Sequence, residues 1–241
     1  MAAHDRYRLE PDSWLSGILG RPSWNAVSGG SASAALSELK KPGQFASAKV
    51  DAADTAAAGE LQAHGFRVID TALTLERENG DALESGSGVR FAAAGDRSAV
   101  ESIAGSAFKY SRFHLDPAIP KTLADRIKAT WAGNWFAGQR GDGMVVAEDG
   151  GDVAGFLQLL WNAEDRLIID LIAVRAQSAR KGLARAMIGF AQKRGTGDAR
   201  HVRVMIVGTQ AANVASVRLY ESLGFRLRGA RFVLHHHGGA A

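Results

Sequence analysis

The chain has 241 residues, 46% of them hydrophobic and 22% charged, a balance that suits a globular protein with a substantial core. It contains no cysteine, which excludes disulfides, thiolate nucleophiles and cysteine-ligated metals. The net charge of +4 comes from scattered basic residues without a recognition-helix or RNA-binding signature, so nucleic acid is not expected as a partner. The polar start, "MAAHDRYRLE", has no apolar centre of a signal peptide, and no apolar run reaches the ~18 residues of a membrane span. The expected location is the cytoplasm.

Along the chain, two stretches read as linkers, "SGGSASAALSELKKPGQ" (28–44) and "ERENGDALESGSG" (76–88), both rich in small or charged residues without periodicity. The second is the better boundary and divides a smaller N-terminal α/β domain (1–88) from a second domain (89–241). There "VRFAAA" (89–94) is a strand, and Asp96 is placed to cap a helix with Val100, Ile103, Ala104, Ala107 and Phe108 on one face. Pro120 opens a second helix with Leu123, Ile127 and Trp131 in a stripe. "MVVAE" and "VAGFLQLLW" flank a Gly/Asp turn and form a hairpin. "RLIIDLIAV" (166–174) reads as a strand buried on both faces apart from Asp170. A helix over Lys181–Arg194, the strand "HVRVMIVGT", a helix over Asn213–Leu223 and the strand "FRLRGARFVL" complete the order β-α-α-β-β-β-α-β-α-β. This is a mixed, mostly antiparallel α/β sheet with helices on both faces.

A faint internal echo aligns "DTAAAGELQAHGFRVIDTALTLER" (54–77) with "NVASVRLYESLGFRLRGARFVLHH" (213–236) on a shared Gly-Phe-Arg. Asp54 then faces Asn213, and Leu61 faces Tyr220. An old duplication and a common helix-Gly-strand connection are equally good accounts. His235, His236 and His237 cannot all face one metal on a strand. They read as a surface tail, and no metal is assigned.

"VRAQSARKGLARAMIGF" (174–190) puts basic residues and a glycine where a strand turns into a helix. Free amides and the positive end of the helix dipole meet there, so a pyrophosphate can bind if no side chain blocks it. Gly182 and Ala184 keep the approach open, and Arg180 and Lys181 add charge. The spacing is neither that of a P-loop nor that of a dinucleotide turn.

The strand "DLIAV", then "ARKGLARAMI", a strand and "NVASVRLYESLGF" together resemble the GNAT superfamily of acetyl-coenzyme A-dependent N-acetyltransferases. That family's phosphate loop begins with Gln or Arg and continues x-x-G-x-G/A. Here the window is Ala179-Arg180-Lys181-Gly182-Leu183-Ala184, with Ala in first place. The second block matches at Asn213, Ala215, Leu219, Tyr220, Glu221, Gly224 and Phe225. The stretch 107–131 is further similar to the TDP-fucosamine acetyltransferase group, and pieces of the N-terminal segment look like that group's extra domain. The first 88 residues then read as a degenerate half of the same fold.

The resemblance implies acetyl-CoA as cosubstrate, with no metal, and a small-molecule amine as acceptor, such as the amino group of a TDP-linked aminodeoxysugar. It places the pantetheine arm along Ile172, Ala173 and Val174, and the diphosphate at Ala179–Ala184; Asn213 either caps its helix or touches the coenzyme. Tyr220 becomes the proton donor to the leaving thiolate, since a phenol near pKa 10 is protonated where a thiol near 8.5 is partly ionised. Asp170 is the suggested base; its pairing with an arginine such as Arg203, or a water chain in its place, stays open. Ser111, Arg112, His114 and Asp116 cluster on the acceptor side, where Arg112 suits a phosphate and His114 a base. A protein or small-amine acetyltransferase and a non-catalytic coenzyme A sensor are the alternatives, and a homodimer is left open.

Overall fold

A computed structural model describes residues 7–29, 36, 39–163 and 165–239. The strands are β1 (Tyr7–Pro11), β2 (Ser23–Ser28), β3 (Phe45–Asp51), β4 (Arg67–Glu78), β5 (Val89–Phe91), β6 (Gly143–Asp149), β7 (Asp152–Ala163), β8 (Arg166–Val174), β9 (Val204–Gln210) and β10 (Arg226–His237). The helices are α1 (Ser13–Leu19), α2 (Thr55–Ala63), α3 (Arg97–Ala107), α4 (Lys121–Phe136), α5 (Leu183–Arg194) and α6 (Val214–Ser222). All ten strands join one sheet in the order β1-β2-β3-β10-β4-β9-β8-β7-β6-β5. Only β2–β3 and β8–β9 are parallel. From residue 89 onward the element order is the one expected.

The sheet order is palindromic about the β10–β4 pair: β3 mirrors β9, β2 mirrors β8, and β1 mirrors β7. The aligned segments 54–77 and 213–236 lie on either side of that centre and repeat one another's backbone bonds. Phe66 N–H donates to Leu61 O at 3.1 Å, as Phe225 N–H does to Tyr220 O at 3.0 Å. Ala52 N–H reaches Ala230 O, and its counterpart Ala211 N–H reaches Thr71 O. Asp54 and Asn213 cap α2 and α6 by accepting from Ala57 and Ser216 amides. Each helix exits through a glycine at positive φ, Gly65 (86°) or Gly224 (82°), a conformation that a Cβ would strain.

Alternation along the strands sorts the helices. Leu73 and Leu75 of β4 and Met205 and Val207 of β9 pack under α5 and α6, and Ala46, Ala48 and Leu234 pack under α2. On the opposite face, Met144, Val146 and Phe156 meet α3 and α4, while Phe45 meets α1 and α4. Ile127 is fully buried, with Leu123 and Trp131 beside it, as the α4 stripe requires. Among the described residues no helix is long and apolar enough to cross a membrane.

Four expectations need correction. The three histidines are no surface tail: they end β10, paired with His235 opposite Ser47 and His237 opposite Phe45, and His235 and His236 are buried. The stretch 79–88 is no free tether. Gln192 of α5 donates to Asn79 and Asp81 and accepts from Leu83 N–H, and a Cβ on Gly189 would stand 2.4 Å from the Glu84 carbonyl oxygen. Of the first linker, residues 30–35, 37 and 38 lie outside the described residues. Asp96 does not cap α3; its carboxylate accepts from Arg90 and from Ala93 N–H, which closes a short 3-10 turn instead. Finally, β8 is not buried on both faces, because its burial alternates and its even positions stay half-open.

Candidate functional site

The site begins with a defect in a strand. β7 pairs with β8 through Leu159↔Ile169 and then Gln158↔Leu171, so Asp170 is an extra, unpaired residue. Such a bulge bends its strand. On the other edge the parallel ladder with β9 stops at Ile169↔Val207, although β8 runs on to Val174 and β9 to Gln210. Past the bulge the two strands part, and backbone groups on that edge of residues 170–174 lose their ladder partners. A cleft of about 510 Å³ opens there, walled by Ile172, Ala173, Val174, Gln210, Asn213 and Tyr220.

At one end of the cleft lies the turn into α5. Arg180 has φ 64° and is the one non-glycine residue at positive φ among the described residues; Gly182 follows at φ 81°. A non-glycine residue in that region costs of order 1–2 kcal/mol and persists where a site demands it. Nothing lies within 4 Å of a Cβ built on Gly182, so the space over the first α5 amides is open. Ala179, Arg180, Gly182, Leu183 and Ala184 all line the cleft. Lys181 does not: its ammonium bonds Asp149 at 2.6 Å, and Asp149 also takes the Ser178 hydroxyl. Lys181 thus fastens the turn to the β6–β7 hairpin. Arg185, which sequence reasoning missed, does line the cleft and bonds Ser222 of α6 at 2.9 Å.

Asn213 caps α6 by accepting from Ser216 N–H at 3.3 Å and also lines the cleft. Tyr220 is 3% exposed, with its ring 5.6 Å from that of Phe225. Burial pushes its phenol well above the ordinary value, so it is protonated across the neutral range.

On the α4 face the polar residues fall into two kinds. Some are fully engaged. Asp170 accepts from Trp131 Nε1 (2.9 Å), Arg140 Nε (2.8 Å) and the second Arg140 nitrogen (2.6 Å). The pairing with Arg203 is not made; Arg203 bonds Asp165 instead. His114, with its side chain 4% exposed, bonds the Ser111 hydroxyl through Nδ1 (2.6 Å) and Asp125 through Nε2 (2.9 Å), which ties the loop to α4. Asp116 accepts from His235 Nδ1 (2.7 Å) and His237 Nε2 (2.8 Å), and Arg21 donates to His237 Nδ1. These bonds join the group into a polar plug beneath Phe45 and Phe113, in which His235 Nε2 alone is buried without a partner.

The others lack acidic partners, though Arg112 stacks 4.5 Å over Phe113. Lys49, Arg112, Lys128 and Arg231 have no carboxylate within ion-pair distance among the described residues. Lys128 is buried, its ammonium 4.8 Å over Phe108 and 4.6 Å over Trp131. Burial, then the nearby Arg112, pushes it down to about 8. Burial pushes Arg112 down to about 10. Lys49 is exposed, and its surroundings, then Arg112 and Arg231, lower its pKa. Phe108 and Ser111 line the cleft itself, so these cations stand beside it.

Asp70 shares a cross-strand row with Lys49 and carried no signal in the sequence beyond a polar residue in an apolar strand. It is 7% exposed, and its Oδ2 is buried without a hydrogen-bond partner. Burial pushes its carboxyl up to about 6, against a hydrogen bond from Thr71 N–H and the charge of Lys49.

Residues 110–225 match the Acetyltransferase (GNAT) family. Over 141 residues the chain is 32% identical to the spore coat polysaccharide biosynthesis protein SpsD of Bacillus subtilis (strain 168). That alignment takes in 58% of this chain and 47% of SpsD, so the chain spans about half the length of this curated relative. The tandem GNAT protein from the clavulanic acid biosynthesis pathway superposes with a TM-score of 0.58 at 12% identity, over 92% of this chain and 77% of that one. A GCN5-related N-acetyltransferase from Kribbella flavida gives 0.56 at 19% identity, over 90% and 82%. Both are likenesses of fold.

Proposed function

From a chain that carries a GNAT acetyltransferase domain over residues 110–225, we propose an acetyl-CoA-dependent N-acetyltransferase acting on the amino group of a nucleotide-linked aminodeoxysugar, such as a TDP-sugar. The observation that carries the acceptor class is the set Lys49, Arg112, Lys128 and Arg231, cations without carboxylate partners beside the cleft. Lys49 and Arg231 are exposed, but Arg112 is half-buried and Lys128 buried, and unpaired buried charge is costly unless a ligand compensates it. A sugar diphosphate does so; a lysine side chain of a protein substrate adds to the repulsion. SpsD's own name places that protein in polysaccharide biosynthesis, which agrees with a sugar acceptor.

The coenzyme fits the cleft: open space over Gly182, first-turn amides of α5 and the cations Arg180 and Arg185 suit its diphosphate. When bound, it supplies the activated acetyl group. The unladdered edge of β8 at Ile172–Val174 offers N–H groups to an acetyl oxygen, and one such donor is worth about 3–4 kcal/mol to a tetrahedral intermediate. Alignment of amine and thioester supplies up to about 7–11 kcal/mol more. Tyr220 presents its hydroxyl to the departing sulfur. With so high a pKa it completes the transfer only if its oxygen recovers the proton that nitrogen sheds on becoming an amide.

Asp170 takes the part of an anchor in this reading, since three N–H donors already occupy its oxygens and hold the bulge open. The palindromic sheet supports residues 1–88 as a degenerate half of the same fold, with Leu61 where Tyr220 stands. The test is thiol release from acetyl-CoA with a TDP-aminodeoxysugar, a lysine peptide and a polyamine. Turnover confined to the sugar nucleotide is expected; preference for the peptide or polyamine overturns the acceptor class. Coenzyme binding without turnover of any of them favours the sensor.

A further inference from the structure

We propose that Asp70 is the catalytic base that takes the proton from the acceptor's ammonium group. This rests on the acetyltransferase reading above and supplies the residue that reading lacks.

Position is the first ground. Lys49, Val233 and Asp70 lie in one row across β3, β10 and β4, and Arg231 and Ala72 lie in the next. Ala72 is the register partner of Gln210, a wall of the cleft. Asp70, two residues along the same face, is diagonal to Gln210, and such neighbours are roughly 7–8 Å apart. An amine bound against Gln210 stands about that far from the Asp70 carboxylate, a gap that one water spans.

Elimination is the second ground. Of the carboxylates on this side of the sheet, Asp170 is held by Arg140 and Trp131, Asp116 by His235 and His237, and Asp125 by His114 and Lys121. Asp12 accepts the Leu15 amide of α1, and the exposed Asp51, register partner of Arg231, accepts the Ala53 amide. Among these carboxylates Asp70 alone keeps a buried oxygen with no donor on it. Its counterpart in the mirrored strand is Gly229, so the carboxylate is no part of the repeated framework.

Lys49 of β3 acts on Asp70 through its charge, and Arg231 of β10 stands in the adjoining row on the same face. They favour its ionised form, and burial opposes them; the balance leaves a carboxyl that can hold a proton near neutrality. In the step, R–NH3+ gives one proton, through that water, to the Asp70 carboxylate and becomes R–NH2. The nitrogen lone pair forms the C–N bond, and the C–S bond breaks with its electron pair on sulfur. Sulfur gains the Tyr220 proton, the phenolate recovers the proton lost by nitrogen, and Asp70 releases its own to solvent. The balance is R–NH3+ plus acetyl-CoA giving R–NH–acetyl, CoA–SH and H+.

The experiment compares wild type with Asp70→Asn on a TDP-aminodeoxysugar and on simple alkyl amines, from pH 5 to 10, with acetyl-CoA affinity measured by calorimetry. For wild type, kcat/KM should rise through an apparent pKa near 6. Asp70→Asn should lower kcat/KM at pH 7 by at least about 100-fold. That variant should also gain about tenfold per pH unit up to the amine's own pKa, while its coenzyme affinity moves less than twofold. An Asp70→Asn profile that parallels wild type overturns the proposal and leaves the acetyltransferase reading intact. So does a wild-type profile without the limb near 6, a measurement that needs no variant to fold. No turnover of any amine by wild type that binds the coenzyme overturns both.

Discussion

A carboxylate buried without a partner should weaken the fold that holds it, and Asp70→Asn should therefore make the protein more stable. Asp70 is 7% exposed and its carboxyl is moved from 3.8 to about 6, chiefly by burial. Its folded value is raised, so the ionised form is disfavoured by folding. That penalty is complete above pH 6, shrinks as pH falls from 6 towards 3.8, and is gone below. A displacement of this size corresponds to about 3 kcal/mol. Asparagine removes the charge but sets an amide where Oδ2 lacks a donor, which returns about 1 kcal/mol. The net expectation is a gain of about 2 kcal/mol at pH 8, worth roughly 4–8 °C in a chain of this size. Guanidinium unfolding of both proteins at pH 8, 6 and 4 measures it. The reasoning is refuted if the variant is no more stable at pH 8, or if the gain is the same at pH 4 as at pH 8.

Three further outcomes are expected. Tyr220→Phe should cut turnover about tenfold or more while calorimetry finds the coenzyme affinity nearly unchanged, because only the proton donor is lost. Gly182→Val must place a branched side chain at φ 81° over the first α5 amides, and should weaken coenzyme binding at least about tenfold. Asp116→Ala leaves the N–H groups of His235 and His237 buried without an acceptor, and should cost about 2–4 kcal/mol in denaturant unfolding. Burial opposes the ionised Asp116, yet the bonds from His235 and His237 outweigh it and hold the carboxyl well below its ordinary 3.8. A depressed value contributes stability above pH 3.8 that is lost as pH falls further. The Asp116→Ala deficit should therefore shrink in strong acid.

Periodicity revealed what depends on single elements. The Leu123–Ile127–Trp131 stripe gave α4 its buried face, and Gly182 with Asn213–Phe225 marked both walls of the cleft. What stayed hidden depends on register between distant strands. The bulge at Asp170 exists only relative to Gln158 and Leu159 of β7, so a polar residue in an apolar run looked like a base and not like the point where a strand is bent. Lys181 reads as a phosphate ligand beside Arg180, but the left-handed turn at Arg180 sends it to Asp149, a residue far away in sequence. His235–His237 look like a tail until β3 and β4 are seen to close around them. Asp70 gave no sign because its lack of a partner is a property of everything packed about it.

The place of Arg226–His237 between β3 and β4 has a consequence for how the protein is made. Ribosomal synthesis delivers β3 and β4 long before the strand that separates them, so each must wait with an open edge, the kind of surface that invites association between nascent chains. Closure joins residues nearly two hundred positions apart, as in Phe45 opposite His237, and such distant pairings form slowly. The sheet is thus completed only after Arg226–His237 is made, and yield in the cell should respond to chaperone supply and growth temperature more than the stability of the finished sheet would suggest.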